Sequence, residues 1–427
     1  MKGILVKFIG LILTLPLLQY TTDALPKMPL NGAITEEKNV EFKIASWHDE
    51  SFQKGKEKYL NQEFGFRNQL IRINNQIYYS LYGIAKANGV IVGKENYLYE
   101  EKYIHAFYGM DFVGEQKVND VTERLSAIDS AFRTMNKTLL VVLAPGKASF
   151  YPEYIPDNYK RVNDSTNYSC YKKSIEQAGL NLIDFNSWFL EQKNKSNFPL
   201  YPKTGIHWSD YGAILAIDSI NKYLSKLRGY DPVTMHWNEY EKDLEKTSVI
   251  DEDIELGMNL LFKIKKPRLG YPILHFNQTG KTKPRVLNIG DSFYRNIFST
   301  GIKDSIFSDA GFGYYLQEIS SPIIGGTKDV SDVNLKELIN HYDVIMLMCT
   351  EATMFNFPFN FDKKVYTLYC TPLANSELFQ KKLNEIKDRI RNSAEWLTSI
   401  KEKALKNGKT VDEMIQLDAE YILNNEN

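Results

Sequence analysis

One uninterrupted apolar run, residues 139–143 (Leu-Leu-Val-Val-Leu), sets the architecture this chain can adopt. It is closed at once by Ala144-Pro145-Gly146, and a run without polar alternation is what a strand buried on both faces looks like. Three further candidate strands follow: residues 180–183 before Asp184, 286–289 before Gly290, and 344–348 before Cys349-Thr350-Glu351. Helical patterns separate them. Ala213, Ile217, Ile220, Leu224 and Leu227 recur at helical spacing, with Ser209 placed as the cap and Asp210 in the first turn. Short buried strands alternating with amphipathic helices predict an α/β fold, a mainly parallel sheet sandwiched between helical layers. Catalytic groups collect at the carboxyl ends of such strands, which here are marked by Pro145, Gly290 and Thr350.

The ends of the chain differ from this middle. Lys2 and Lys7 lead into a mainly apolar run, residues 8–18, followed by Thr22, Asp23 and Ala24. A run of about eleven residues suits the central part of an export signal, whereas a membrane-spanning helix needs about 20. An uncleaved anchor over residues 4–18 is the alternative, with Lys7 reaching toward the headgroups. Either way the chain is expected to work in the periplasm or another extracytoplasmic space. Beyond a proline-bearing linker at residues 25–30, Phe64-Gly65-Phe66-Arg67 leads into a helix marked by Leu70, Ile73 and Ile77. Residues 90–92 and 97–99 read as a hairpin. Near the carboxyl end, Leu383, Ile386, Ile390, Leu397 and Ile400 line one face of a long charged helix, Gly408 can stop it, and the capping box Thr410 to Glu413 starts another. The expected division is a signal peptide or anchor over 1–24, an α/β domain over 25–375, and a C-terminal helical appendage over 376–427 that packs rather than reacts.

Composition removes several function classes. With 43% apolar and 25% charged residues, the chain is not disordered, collagenous or many-spanning. Its 52 basic and 53 acidic residues nearly cancel, so it lacks the charge that binding to a phosphate backbone needs, and nucleic acid is not an expected partner. Cys170, Cys349 and Cys370 are too few and too scattered for a disulfide framework or a zinc site. Asp251, Asp253 and Glu255 start like a calcium loop, but Phe262 stands where the closing glutamate belongs. No phosphate loop or dinucleotide fingerprint occurs, so no cofactor and no metal are expected.

Two local signals carry chemistry. In Asn288-Ile289-Gly290-Asp291-Ser292-Phe293 a strand ends in Gly-Asp-Ser and leads into a helix. A serine at that junction presents its hydroxyl at the top of the sheet, beside helix-start amides that can hold an oxyanion. His207 sits in Lys203-Thr204-Gly205-Ile206-His207-Trp208-Ser209-Asp210, a turn-rich stretch just before a helix. A serine gives up its proton poorly at neutral pH unless a base stands within hydrogen-bond reach, and histidine is such a base. Each signal also has a plain structural reading: a strand-to-helix turn capped by Asp291 or Ser292, and a histidine held beside a tryptophan. Spacing alone does not pair them.

Gly290-Asp291-Ser292-Phe293 resembles the nucleophile block of SGNH hydrolases, and His207-Trp208 resembles the histidine motif of the alginate O-acetyltransferase family, AlgJ and AlgX. In that family too the histidine motif precedes the serine. Phe64-Gly65-Phe66-Arg67, Val92-Gly93-Lys94-Glu95-Asn96-Tyr97-Leu98-Tyr99, and Ala144-Pro145-Gly146-Lys147 followed by Tyr151-Pro152 and Ile155-Pro156 are similar to the same family. The resemblance implies a three-layer α/β/α SGNH-like domain, exported or anchored, that moves acetyl groups onto a polysaccharide acceptor beside a membrane-bound O-acyltransferase acting as acyl donor. In that reading Ser292 is acylated and His207 is base, then acid. Two alternatives use the same residues: an SGNH-type carbohydrate esterase, and a non-catalytic polysaccharide-binding component of an export or modification system. One departure favours the last. The family's Asp-x-His-Trp is here Gly205-Ile206-His207-Trp208, so the carboxylate that should orient the imidazole is missing. Asp210, Asp184 or Asp291 could take that role, or a Ser-His dyad could work without one. Trp208, Asp291, Tyr294, Arg295, Lys147 and Glu351 are the substrate-binding candidates; for Lys147 and Glu351 the plainer reading is solvated surface.

Overall fold

The computed structural model describes residues 2–22, 28–32, 37–238, 248–371 and 377–425. The expected boundaries at 24–25 and 375–376, with Asp23, Ala24 and the first half of the proline-bearing linker, lie outside the described residues. The chain divides into two compact units, one of Met1–Glu101, Lys203–Ile206 and Glu252–Lys266, the other of Lys102–Pro202, His207–Asp251 and Pro267–Asn427.

The first unit opens with one helix, Lys2–Thr22, that continues through Pro16. Gly3–Thr22 is long and apolar enough to cross a membrane, with mean hydropathy 1.8. Its threonines do not interrupt it, because Thr14 donates to the Gly10 carbonyl at 3.0 Å and Thr22 to that of Leu18 at 2.6 Å, so each hydroxyl is satisfied inside the helix. Leu70, Ile73 and Ile77 do fall on a helix, Arg67–Tyr82, yet all three are exposed. Polar side chains hold that helix instead. Asn75, its buried residue, donates to the Met258 carbonyl at 2.8 Å, and Arg72 donates to those of Leu260 and Pro29 at 3.1 and 2.7 Å. β1 (Val90–Val92) and β2 (Leu98–Glu100) form an antiparallel pair in which Leu98 and Tyr99 are fully buried. The 203–206 segment is pinned here, because Leu98 N–H donates to the Lys203 carbonyl at 3.0 Å and Asp253 accepts the Ile206 N–H at 2.8 Å.

The second unit is built on a sheet. Its strands are β3 (Thr138–Ala144), β4 (Leu182–Asp184), β5 (Thr234–His236), β6 (His275–Asn277), β7 (Arg285–Gly290), β8 (Asp309–Tyr314), β9 (Glu318–Ser321), β10 (Gly326–Asp329) and β11 (Val344–Thr350). β5 and β6 make a separate ribbon; the rest form one seven-stranded sheet in the order β10-β9-β8-β7-β11-β3-β4. From β8 to β4 every pairing is parallel, and β9 and β10 add antiparallel at one edge. The four strands read from the sequence are the contiguous block β7-β11-β3-β4.

Every residue of β3 and β11 is buried. One face of the sheet presents Leu139, Val141, Leu143, Leu287, Ile289, Ile345 and Leu347 to the helices Glu115–Thr134 and Asn167–Gln177, through Leu125, Ile128, Phe132 and Tyr171. Against the other strand faces lie the helices Phe185–Gln192 and Ser292–Ser299, the latter packed on Asp210–Arg228. Helices on both faces of a mostly parallel sheet give the three-layer α/β/α arrangement. Register sets the strand ends level: Thr350 pairs with Ala144 and Met348 with Gly290.

The carboxyl end carries three helices, Glu377–Asn392, Ala394–Asn407 and Val411–Asn425, with a small core of Leu383, Ile386, Ile390, Ile400 and Met414. The single long helix expected over 383–400 is broken at Ser393, whose hydroxyl accepts the Trp396 N–H at 3.3 Å and starts a new helix. Gly408 closes that helix, and Thr410 and Glu413 form the reciprocal capping box.

Candidate active site

β7 ends at Gly290, and Asp291 caps the helix Ser292–Ser299 by accepting the Phe293 N–H at 3.0 Å. The second carboxylate oxygen of Asp291 accepts three more bonds, from the Thr350 N–H at 2.8 Å, the Thr350 hydroxyl at 2.9 Å and the Thr353 hydroxyl at 2.7 Å. A single carboxylate, 1% exposed, thus ties the end of β7 to the end of β11 and fixes where the helix begins. Ser292 is the first residue of that helix, at the carboxyl edge of the sheet.

His207 is held from its other side. Two residues on, Ser209 caps the helix Asp210–Arg228 by accepting the Gly212 N–H at 3.1 Å, while donating to the Pro199 carbonyl at 2.7 Å. Between them Trp208 has no exposed surface and packs against Phe185, Phe189 and Phe293, with ring centroids 6.2, 5.9 and 5.3 Å away. Cap and indole leave the backbone at 207–209 little freedom. The imidazole rests on the Phe293 ring at 5.0 Å, and its Nε2 lies 2.9 Å from Ser292 Oγ. Both residues are partly exposed, so the pair is open to solvent. That distance lets a histidine take the hydroxyl proton.

The other sequence candidates separate into those the structure keeps at the surface and those it buries. Arg295 is exposed, its guanidinium 3.9 Å over the Tyr314 ring. Trp208 and Tyr294 are core residues without exposed surface, the latter packed on Phe298 and Phe312. Asp291 is structural for the reason given above. Lys147 is 1% exposed and so is neither a surface lysine nor a group that an anionic substrate reaches. Asp210 is hydrogen-bonded to the Ser248 side chain, and burial pushes its carboxyl above the usual range. Asp184 is held by Lys172 at 2.7 Å, Tyr168 at 2.9 Å and Ser187 at 2.7 Å. The three carboxylates weighed as orienters of His207 are therefore engaged with other partners.

Glu351 is the largest departure from the surface reading. It is 4% exposed, accepts from the Ser149 hydroxyl at 2.6 Å and from the Asn186 amide, and crowds Gly146 so closely that a Cβ there would lie 2.6 Å from its Oε2. Burial pushes its carboxyl up to about 7, against the lowering effect of the Ser149 and Asn186 hydrogen bonds. A carboxyl raised from 4.5 to about 7 holds its proton longer in the folded chain than in the unfolded one. Stability is therefore complete below about pH 4.5 and falls as pH rises through about 7. Replacing Glu351 by Gln is expected to remove this loss. In urea unfolding the variant and wild type should match near pH 4, and the variant should gain on the order of 3 kcal/mol near pH 8. Equal pH slopes would show that Glu351 is ionised in the folded chain.

Sequence reasoning missed Ser149, Asn186, Thr350 and Thr353. In the sequence Thr350 marks only a strand end, and Thr353 follows it at a spacing of three. Ser149 and Asn186 carry no local signal.

The second unit thus places a serine at a strand-to-helix junction with a histidine beside it, at the carboxyl edge of a mainly parallel sheet. Residues 90–247 match the family described as SGNH hydrolase-like domain, acetyltransferase AlgX. The match takes in His207 and stops short of Ser292. The probable alginate O-acetylase AlgJ of Pseudomonas syringae pv. tomato is 24% identical over 138 residues, 32% of this chain and 34% of that protein. Its counterpart of the same description in Azotobacter vinelandii is 21% identical over 157 residues, 37% of this chain and 39% of that one. The aligned part thus spans only about a third of the length of these relatives. Among solved structures, the O-acetyltransferase domain of Pseudomonas putida AlgJ aligns with TM-score 0.40 and 12% identity, over 62% of this chain and 92% of that one. Pseudomonas aeruginosa AlgX aligns with TM-score 0.39 and 13% identity, over 64% and 66%. Over this part of its length the chain is similar to AlgJ and AlgX.

Proposed function

We propose that this protein is an extracytoplasmic O-acetyltransferase that carries an acetyl group on Ser292 and delivers it to a hydroxyl of an exopolysaccharide. The observation that carries the reading is the 2.9 Å separation of Ser292 Oγ and His207 Nε2 at the carboxyl edge of the sheet. His207 takes the Ser292 proton as Oγ attacks the donor carbonyl, and returns it to the leaving group as that bond breaks. The sugar hydroxyl then gives its proton to His207, its oxygen bonds to the acyl carbon, and Ser292 Oγ leaves and regains a proton from His207. The Phe293 N–H is already bonded to Asp291, so the Ser292 N–H is the helix-start donor assigned to the oxyanion. The apolar helix over Gly3–Thr22 supports export or anchoring, and a membrane-bound acyltransferase is the proposed acetyl donor.

The test is to quench the full chain after brief exposure to p-nitrophenyl acetate and measure its intact mass. One added acetyl, mapped to the Ser292 peptide and discharged faster when oligosaccharide is present with formation of acetylated sugar, is the expected result. Discharge to water alone, whatever sugar is offered, makes the protein an esterase. Absence of any acetyl on Ser292 removes the catalytic reading.

A further inference from the structure

A cavity lies at the carboxyl edge of the sheet in the second unit, and neither Ser292 nor His207 lines it. Its volume is about 300 Å³, the lower end of small-ligand clefts, and it is lined by Phe107, Ser149, Tyr168, Asn186, Leu190 and Glu351 among others. The inner polar groups follow three different strands: Ser149 comes after β3, Asn186 after β4, and Glu351 directly after β11. Thr350, next to Glu351, is bonded to Asp291, next to Ser292; in the sheet order Glu351, Ser149 and Asn186 follow strands one, two and three places from β7, at about 5 Å per strand.

Its donors and acceptors select a ligand. Asn186 is 2% exposed; its amide N–H donates to Glu351, while its Oδ1 is buried without a partner among the described residues. The Ser149 hydroxyl spends its proton on Glu351 at 2.6 Å and keeps lone pairs to accept with. A ligand group entering here must therefore donate to Asn186 Oδ1 and must not carry only acceptors. An ionised carboxylate fails that condition; a hydroxyl, which donates and accepts, meets it. At the rim Arg161 and Asp164 are exposed and of opposite sign, and the acidic group inside, Glu351, already accepts from Ser149 and Asn186. Phe107 and Leu190 offer an apolar wall for the C–H face of a ring.

We infer that this cavity is a subsite for one neutral sugar residue, whose hydroxyls bond to Asn186, Ser149 and Glu351. Its use as the acceptor subsite rests on the transferase reading above; the binding itself does not. The experiment is saturation-transfer NMR on the full chain in detergent, with methyl glucoside and methyl mannoside as probes and acetate as the anionic control. Transfer to the ring protons of at least one glycoside, and none to acetate, is expected. Leu190→Trp, a change at an exposed lining position that fills the cavity without touching the buried network, should weaken the glycoside signal by about tenfold or more, and Ser149→Ala should weaken it less. No transfer to either glycoside, or an equal signal in Leu190→Trp, overturns the proposal. A glycoside signal that persists in Ser292→Ala, in a protein that forms no acyl-enzyme, leaves the subsite standing and the transferase reading fallen.

Discussion

Ser292→Ala is expected to lower ester turnover by about a thousandfold or more, with the fold unchanged. Only one oxygen is removed, at a partly exposed helix start whose cap belongs to Asp291, so stability should move by no more than about 0.5 kcal/mol. The atom lost is the one that forms the acyl bond, and the hydroxyl at 2.9 Å from His207 is the group that imidazole serves. His207→Ala should lose a comparable factor. The two losses should not add, because a base with no nucleophile and a nucleophile with no base are equally idle. Turnover of a chromogenic acetyl ester by the two single variants and the double variant checks this. Multiplying losses would mean that the two side chains act separately, and wild-type rates in Ser292→Ala would place the chemistry elsewhere.

What the sequence disclosed here follows from how local each feature is. The run at 139–143 needs no partner to be recognised, and its strand extends it by only one residue at each end, Thr138–Ala144. β8 was invisible because it reads Asp-Ala-Gly-Phe-Gly-Tyr. Its glycines are set by neighbours: a Cβ on Gly311 would lie 2.6 Å from the Tyr342 hydroxyl, and one on Gly313 would lie 2.5 Å from Ile289. That requirement comes from other strands and helices and leaves no periodic trace. The helix at 67–82 shows the converse, a correct period with an unexpected exposed face, because Asn75 and Arg72 rather than the apolar stripe attach it. At the site, turn chemistry made Ser292 and His207 visible one at a time, while their meeting depends on how β7 and the helix at 210–228 are laid down. Trp208 and Tyr294, read as substrate-binding candidates, are both buried. His207 beside Trp208 is partly exposed and Arg295 beside Tyr294 is exposed, while these two enter the core.

The same reasoning gives Asp291 a role that differs from substrate contact, and a measurable one. Its carboxylate accepts from Phe293, from the Thr350 amide and hydroxyl, and from Thr353, all buried. Asp291→Ala leaves those donors facing a void. Breaking such a buried carboxylate network is expected to cost about 3–5 kcal/mol, read as a lowered urea midpoint. The Thr353 hydroxyl has a second acceptor, the Thr350 carbonyl at 3.1 Å, which limits the loss. Asp291→Asn is not a conservative repair, since its amide would retain one acceptor for Phe293 and turn an NH₂ group toward three donors. As a positioning residue, Asp291 should couple to the threonines it holds. In Asp291→Ala, adding Thr353→Val removes a hydroxyl that has already lost its carboxylate acceptor and should cost less than it does in wild type, by about 1 kcal/mol. A residue that merely touched substrate would raise KM, leave the urea midpoint in place and show no coupling to Thr353. If Asp291→Ala unfolds at the wild-type midpoint, the clasp between β7 and β11 is not what seats Ser292.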